Sequence, residues 1–271
     1  MNRMDGKVCV ITGSTQGLGL AIARRLAEAG AAGIVTLGRN EAKGRSAAEA
    51  LARTTGARVH FVPADVARVE DCRHVMAEAE RTFGKIHVLV NAAALTDRGT
   101  ILNTSPELFD ALFAVNVRGP FFLMQEAIRR MIRDDIAGAI CNIGSMSALA
   151  GQPFISAYCA TKGALATLTS NTAFAVMKNR IRVNQLNIGW MASDHERELQ
   201  AAERGDPDWE AKAVAGLPFG RLVDPAEAAR AVNYIVSDDA GLMTGSVVNY
   251  DQSVWGAAES MPVPSSAMQI A

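Results

Sequence analysis

Short apolar runs alternate with longer amphipathic stretches along almost the whole 271-residue chain, and this rhythm constrains the fold more than any single motif. Strands are read at residues 7–12, 33–37, 58–63, 87–91, 139–143, 182–187 and 247–250. Several are unbroken apolar runs, the pattern of strands covered on both faces. Helical periodicity occupies residues 17–29, 41–53, 69–82, 106–133, 157–177 and 225–237. This βαβα order predicts an α/β fold, a parallel sheet with helices on both sides. Right-handed crossovers then make it doubly wound. No repeat or linker divides the middle of the chain, so residues 1–257 are expected to form a single domain. Two segments break the rhythm. Residues 193–218 are polar, hold two short helical patterns and read as a lid over a ligand site. Residues 258–271 form a tail containing Pro262 and Pro264.

The balance of 49% hydrophobic and 20% charged residues is that of an ordered globular chain long enough to bury a core without disulfide or metal staples. Cys9, Cys72, Cys141 and Cys159 show no zinc-ligand spacing, so reduced thiols and no metal are expected. A net charge of -1 without a basic stripe argues against a nucleic-acid partner. No apolar run approaches the ~20 residues that span a bilayer. The chain enters its first strand almost at once, leaving no room for a signal peptide, so a cytoplasmic location is expected.

Between the first strand and first helix lies Thr12, Gly13, Ser14, Thr15, Gln16, Gly17, Leu18 and Gly19. Glycines let such a turn close tightly and let backbone approach a pyrophosphate, while the helix N-terminus offers N–H groups and a positive dipole end. Three glycines alone make an ordinary turn; their place after an apolar strand and before an amphipathic helix points to a dinucleotide and a Rossmann-like fold. The second strand ends in Arg39 rather than the acid that often holds ribose hydroxyls. A guanidinium there suits a 2′-phosphate, favouring NADP(H) with NAD(H) still possible; the alternative is a solvated arginine. Asp65 and Val66 close the third strand, where Asp65 can face adenine or cap the next helix.

Tyr158 and Lys162 stand four apart at the start of a helix, so phenol and ammonium share a face. A nearby cation can bring a phenol, with its ordinary pKa of about 10, towards a useful range for proton transfer. That spacing alone is a common accident. Ser145, however, ends the fifth strand at the ligand edge of the sheet, where its hydroxyl can bond a substrate oxygen. Asn116 is a poor helix former inside residues 106–133, a candidate for a water-binding kink or an ordinary mid-helix residue.

With these residues in place, the chain resembles the short-chain dehydrogenase/reductase family, in its compact single-domain branch, over about residues 4–253. The match runs through the turn from Thr12 to Gly19, Asp65, Asn91 after the fourth strand, Asn116, Ser145, Tyr158 and Lys162. The resemblance implies an oxidoreductase moving hydride between NAD(P) and an alcohol/carbonyl pair. Tyr158 would be the general acid/base and Ser145 would orient the substrate oxygen. Lys162 would bind the nicotinamide ribose and lower the tyrosine pKa, and Asn116 would hold a water. Gly189 and Ser193, beyond the sixth strand, would meet the nicotinamide, and Asn91, Ala92 and Ala93 the ribose. It also implies a homotetramer or homodimer, pairing the helices read at residues 106–133 and 157–177.

The chain departs from the family in places. The usual Asn-Asn-Ala-Gly is Asn91-Ala92-Ala93-Ala94, the Pro-Gly pair is Ile188-Gly189, and Asp-Gly-Gly is Asp251-Gln252-Ser253. The pocket wall is read from Thr96, Asp97, Arg98, Ser147, Gln152, Trp190 and His195, with Thr96, Ser147, Gln152 and Trp190 the leading substrate contacts. A steroid or acyl site would be more apolar, so a small sugar, polyol or sugar acid is expected. A keto-acyl or aromatic ketone reductase is the main alternative, and a non-catalytic dinucleotide sensor the remote one.

Overall fold

Seven strands form one sheet: β1 (Val8–Ile11), β2 (Gly33–Gly38), β3 (Val59–Pro63), β4 (Val88–Asn91), β5 (Ala139–Ser145), β6 (Arg182–Ile188) and β7 (Val247–Tyr250). The computed structural model describes residues 3–149, 151–193, 196–198, 200 and 208–255. The sheet order is β3-β2-β1-β4-β5-β6-β7, and every neighbouring pair is parallel. The helices between them are α1 (Gly17–Glu28), α2 (Glu41–Thr55), α3 (Val69–Phe83), α4 (Pro106–Phe113), α5 (Gly119–Arg133), α6 (Ser156–Val176), α7 (Trp209–Ala215) and α8 (Pro225–Val236). This is the expected doubly wound, Rossmann-like architecture.

The two-residue period of a strand sorts β1 between two cores. Cys9 and Ile11 pack on one face with Ile22 and Leu26 of α1 and with Val232 and Ile235 of α8. Val10 packs on the other with Val75 and Met76 of α3 and with Leu123 and Ala127 of α5. Burial on both faces explains why the central strands read as continuous apolar runs. Strand order reverses on either side of β1, which opens a crevice beyond the carboxyl ends of β1 and β4.

One expected element is divided. Residues 106–133 are not a single helix: α4 stops at Phe113, a π-helical turn runs Ala114–Arg118, and α5 begins at Gly119. Pro120 has no N–H to return to the carbonyl of Asn116, so a regular α-ladder cannot pass this point. The Gly119 N–H instead reaches back five residues to Ala114 O. Gly119 also lets α5 press against the loop after β3, because a Cβ there would lie 2.6 Å from Val66 O.

The lid segment yields α7, while residues 194–195, 199 and 201–207 of it, His195 among them, lie outside the described residues, as does the tail 258–271. Among the described residues no helix is long and apolar enough to cross a membrane.

Ile140 is fully buried at the centre of β5. Ile140→Ala is expected to lower unfolding stability by about 2–5 kcal/mol, the range for emptying a core isoleucine site. Urea denaturation would show it as a lower midpoint with an unchanged slope.

Candidate active site

The turn after β1 is shaped by glycine where nothing larger fits. Gly13 and Gly17 have φ of 63° and 51°, in the left-handed region. A Cβ on Gly13 would lie 2.8 Å from Ala93 Cα, and one on Gly19 only 2.3 Å from Gly13 O. Helix α1 follows with no side-chain cap from Gln16 and no acid in its first turn, leaving its positive end bare. Leu18 is buried and anchors that helix to the core. Gly38 leaves room for Thr15, whose Cγ2 would be 2.7 Å from a Cβ there.

Ser14 is tied into the sheet. Its hydroxyl donates to Ile11 O at 2.6 Å and accepts from Leu37 N–H at 3.1 Å, and its own N–H goes to Leu37 O. It is fully buried, so it staples β1 to β2. Arg39 is exposed beyond β2 and makes no ion pair. Lys43, which sequence reasoning passed over, comes from the first turn of α2 to donate to Gln16 Oε1. No local pattern signals this; only the fold brings α2 beside the turn. Asp65 does not cap α3, whose N-cap is Arg68; its Oδ1 accepts from Ala67 N–H at 2.9 Å, a short local turn.

At the other side of the crevice, Thr12 Oγ1 accepts from both Ala92 N–H and Ala93 N–H, each at 2.8 Å. Asn91 Nδ2 donates to Asn142 Oδ1 at 2.8 Å, while Asn91 Oδ1 is buried without a partner. That orphaned acceptor, the uncapped helix end and the glycine-only surface fit a dinucleotide laid across β1 and β4.

Asn116, Ser145, Tyr158 and Lys162 meet on the carboxyl edge of β5. Asn116 is buried, and its amide grips the loop after β4, accepting from Leu95 N–H and donating to Leu95 O, both at 2.9 Å. Its Nδ2 also reaches Thr161 Oγ1 of α6 at 3.1 Å. Ser145 Oγ donates to Ser147 Oγ at 3.0 Å, and Ser147 Oγ donates to Gln152 Oε1. The expected contacts Ser147 and Gln152 thus form one polar chain with Ser145. Thr96 lies exposed on the loop and joins none of it.

The electrostatics run against expectation. Burial pushes the Tyr158 phenol up to about 12, only partly offset by its bond to Ser145. Lys162 is itself buried, which lowers its ammonium to about 8. Its Nζ donates to Ile143 O at 2.9 Å and stands 5.5 Å from the Tyr158 ring centre. In this structure desolvation outweighs any lowering of the phenol by the ammonium.

The loops that were read as pocket walls do close on each other. Gly99 bridges to Ile155, and Arg98 lies over the Phe154 ring at 5.3 Å. Met191 bridges to Val223, which ties the two ends of the lid. A Cβ on Gly189 would collide with Asp251 Oδ1, so no larger residue fits there without movement. Ser193 Oγ accepts from Glu196 N–H at 3.1 Å, leaving its own proton available. Trp190 is half-buried and stacks near Trp209, with ring centres 5.9 Å apart. Among the described residues no group of three or more His, Cys, Asp or Glu is placed to hold a metal.

A crevice shaped for a dinucleotide, with a phenol on the same sheet edge able to trade a proton, makes this an NAD(P)-dependent oxidoreductase acting on CH–OH groups. Comparison with known proteins agrees. Residues 13–253 match the family model described as enoyl-(acyl carrier protein) reductase. 2-(S)-hydroxypropyl-CoM dehydrogenase 3 of Xanthobacter autotrophicus is 34% identical, over 92% of this chain and 97% of that one. Sorbitol dehydrogenase of Cereibacter sphaeroides is 31% identical, over 93% and 99%. A solved NAD+-bound xylitol dehydrogenase superposes with a TM-score of 0.86 at 29% identity, covering 92% of this chain and 99% of that one. The chain belongs to the short-chain dehydrogenase/reductase family.

Removing the phenol oxygen by Tyr158→Phe is expected to lower turnover in both directions by about 10²–10⁴-fold, the usual worth of a positioned acid/base. In wild type, alcohol oxidation needs the phenolate and should rise with pH between 7 and 10, because the phenol lies near 12. Carbonyl reduction needs the protonated form and should stay flat over the same range. A flat oxidation profile would exclude Tyr158 as the titrating base.

Proposed function

We propose that the protein interconverts a secondary alcohol of a small polyol, sugar or sugar acid with its ketone, and that it binds NADP(H) more tightly than NAD(H). The observation that carries the substrate class is the polar chain Ser145–Ser147–Gln152 at the carboxyl end of β5. It gives the pocket hydroxyl and amide groups where an acyl or aromatic substrate would need apolar surface. Similarity to a sorbitol dehydrogenase and a xylitol dehydrogenase supports the same class.

In this reading Tyr158 takes the alcohol proton during oxidation and returns it during reduction. Ser145 holds the reacting oxygen beside the phenol. Lys162 donates to the nicotinamide ribose from the position it now shares with Ile143 O. Asn116 keeps the Leu95 loop and α6 in register, and its carbonyl, which Pro120 cannot satisfy, is the group placed to hold a water. The bound nicotinamide supplies the hydride acceptor or donor. Gly13, Thr15, Gln16, Gly17 and the α1 N-terminus would hold the pyrophosphate, Asp65 and Val66 the adenine. Asn91, Ala92, Ala93, Gly189 and Ser193 would line the nicotinamide side.

The cofactor preference rests on Arg39, exposed just beyond β2 and without an ion pair among the described residues, while Lys43 of α2 bonds Gln16 of the turn after β1. A 2′-phosphate there would gain charge-assisted bonds that a hydroxyl cannot make. A self-association role is proposed for the groove of about 680 Å³ beside α4, α5 and α6, lined by Phe113, Val117, Phe121, Phe122 and Leu168. An apolar groove on these helices suits pairing with a second copy.

Turnover on a panel of polyols and keto-sugars, with none on acyl ketones, is the result expected from this reading; the reverse ranking would favour a keto-acyl reductase. Fluorescence titration should give a lower Kd for NADPH than for NADH. Arg39→Ala should weaken NADPH by about 10–100-fold, the worth of a hydrogen-bonded charge, and leave NADH nearly unchanged. Equal binding of both by wild type would mean that Arg39 is only a solvated side chain.

A further inference from the structure

The segment after β6 carries a half-buried carboxylate. Glu196 is half-buried, and its Oε1 accepts two hydrogen bonds, from Trp190 Nε1 and from Gln200 Nε2, both at 2.8 Å. Gln200 is itself only 3% exposed, so this donor is fixed by packing. The Glu196 N–H is capped by Ser193 Oγ. Trp190 leaves β6 two residues after Ile188, the residue in register with Ser145, and stacks against Trp209 of α7. Three short-range anchors therefore fix one carboxylate on the segment that leaves β6 beside Ser145.

Among the described residues Glu196 forms no ion pair, and the neighbouring Arg197 pairs with Glu210 at 3.0 Å. The titratable groups around the site are Tyr158, Cys159 and Lys162 of α6, Asp97 and Arg98 of the loop after β4, and Asp251 beside Gly189, with Lys162 tied to Ile143 O. The negative charge of Glu196 is felt at Tyr158, where it is one of the influences raising the phenol. A carboxylate with its Oε2 unengaged can only accept hydrogen bonds, so it favours a ligand that presents donors and repels one that presents a second negative charge.

We propose that Glu196 is a specificity-determining residue that accepts a hydrogen bond from a second hydroxyl of an uncharged polyol or sugar and turns hydroxy acids away. The inference rests on the polyol reading above and narrows it, removing sugar acids from the substrate class. Trp190 and Gln200 act as positioning residues: by occupying Oε1 they leave Oε2 for the ligand.

The test uses the full-length enzyme with Glu196→Gln, which keeps an acceptor for Trp190 and Gln200 while removing the charge. Kinetics are measured on a panel of four- to six-carbon polyols, the matched aldonic acids and monohydric secondary alcohols of equal length. For wild type, polyols should be preferred over both other groups. In E196Q, kcat/KM for polyols should fall by about 10–100-fold, as for loss of a hydrogen bond to a charged group. Monohydric alcohols should change little, and aldonic acids should gain. The alkaline rise of oxidation should also move to lower pH in E196Q, a shift that a purely structural role would not produce. If wild type prefers monohydric alcohols, the polyol reading itself falls. If wild type prefers polyols and E196Q keeps the full preference with an unmoved pH profile, the polyol reading stands and the assignment of Glu196 is overturned. Should E196Q fold poorly by circular dichroism, the wild-type ranking of polyols against aldonic acids still decides, since an aldonic acid oxidised as well as its polyol excludes a repelling carboxylate. Faster turnover of an amino alcohol than of its polyol would overturn the proposal in favour of cation recognition.

Discussion

One buried amide holds three pieces of this fold in register. Asn116 grips both the N–H and the carbonyl of Leu95 and reaches Thr161, so the loop after β4, the π-helical turn and helix α6 cannot slide independently. Hydrophobic packing tolerates small slips between elements; a fully paired amide in a dry interior does not, because leaving any of its groups unmade costs about 1–3 kcal/mol. A second thread runs parallel to it. Asn91 bonds Asn142, and Asn142 bonds Thr169, joining β4 and β5 to the middle of α6. Between them the two threads fix the helix that carries Tyr158 and Lys162 against the strands that carry Ser145 and Asn91.

Most of the architecture was legible because buried strands write themselves as apolar runs. The seven expected strands are those found, with ends moved by a residue or two; β5 and β6 run on to Ser145 and Ile188, where the apolar pattern had already faded. The continuous helix over residues 106–133 was misread. Asn116 stood out as a poor helix former, but the break depends equally on the missing N–H of Pro120, two turns of argument that only combine once Leu95 is seen to be the partner of the amide. Ser14 sat inside a phosphate-binding pattern, yet its environment is decided by β2, a strand more than twenty residues away in the chain. Lys43 and Glu196 were invisible for the same reason: their significance lies in what the fold places beside them.

The spacing of Tyr158 and Lys162 was readable, but its electrostatic outcome was not. A sequence shows that a cation stands four residues from a phenol. It does not show that one will be buried and the other half-buried, or that desolvation drives the two groups towards their neutral forms from opposite directions. The phenol rises towards 12 while the ammonium falls towards 8. The pair is therefore held in a state that either a new positive charge or a change in solvation can tip, which suits a group that would accept a proton in one direction of a reaction and supply it in the other.

Trp190 and Trp209 have a practical consequence. The chain holds three tryptophans, and two of them face each other where the lid meets the pocket; the third, Trp255, is 48% exposed near the end of the described chain. The indole pair spans the loop after β6 and helix α7, so its emission depends on how those two segments lie against each other. The protein thus carries an intrinsic optical gauge of how these two segments lie, one that reports without a label.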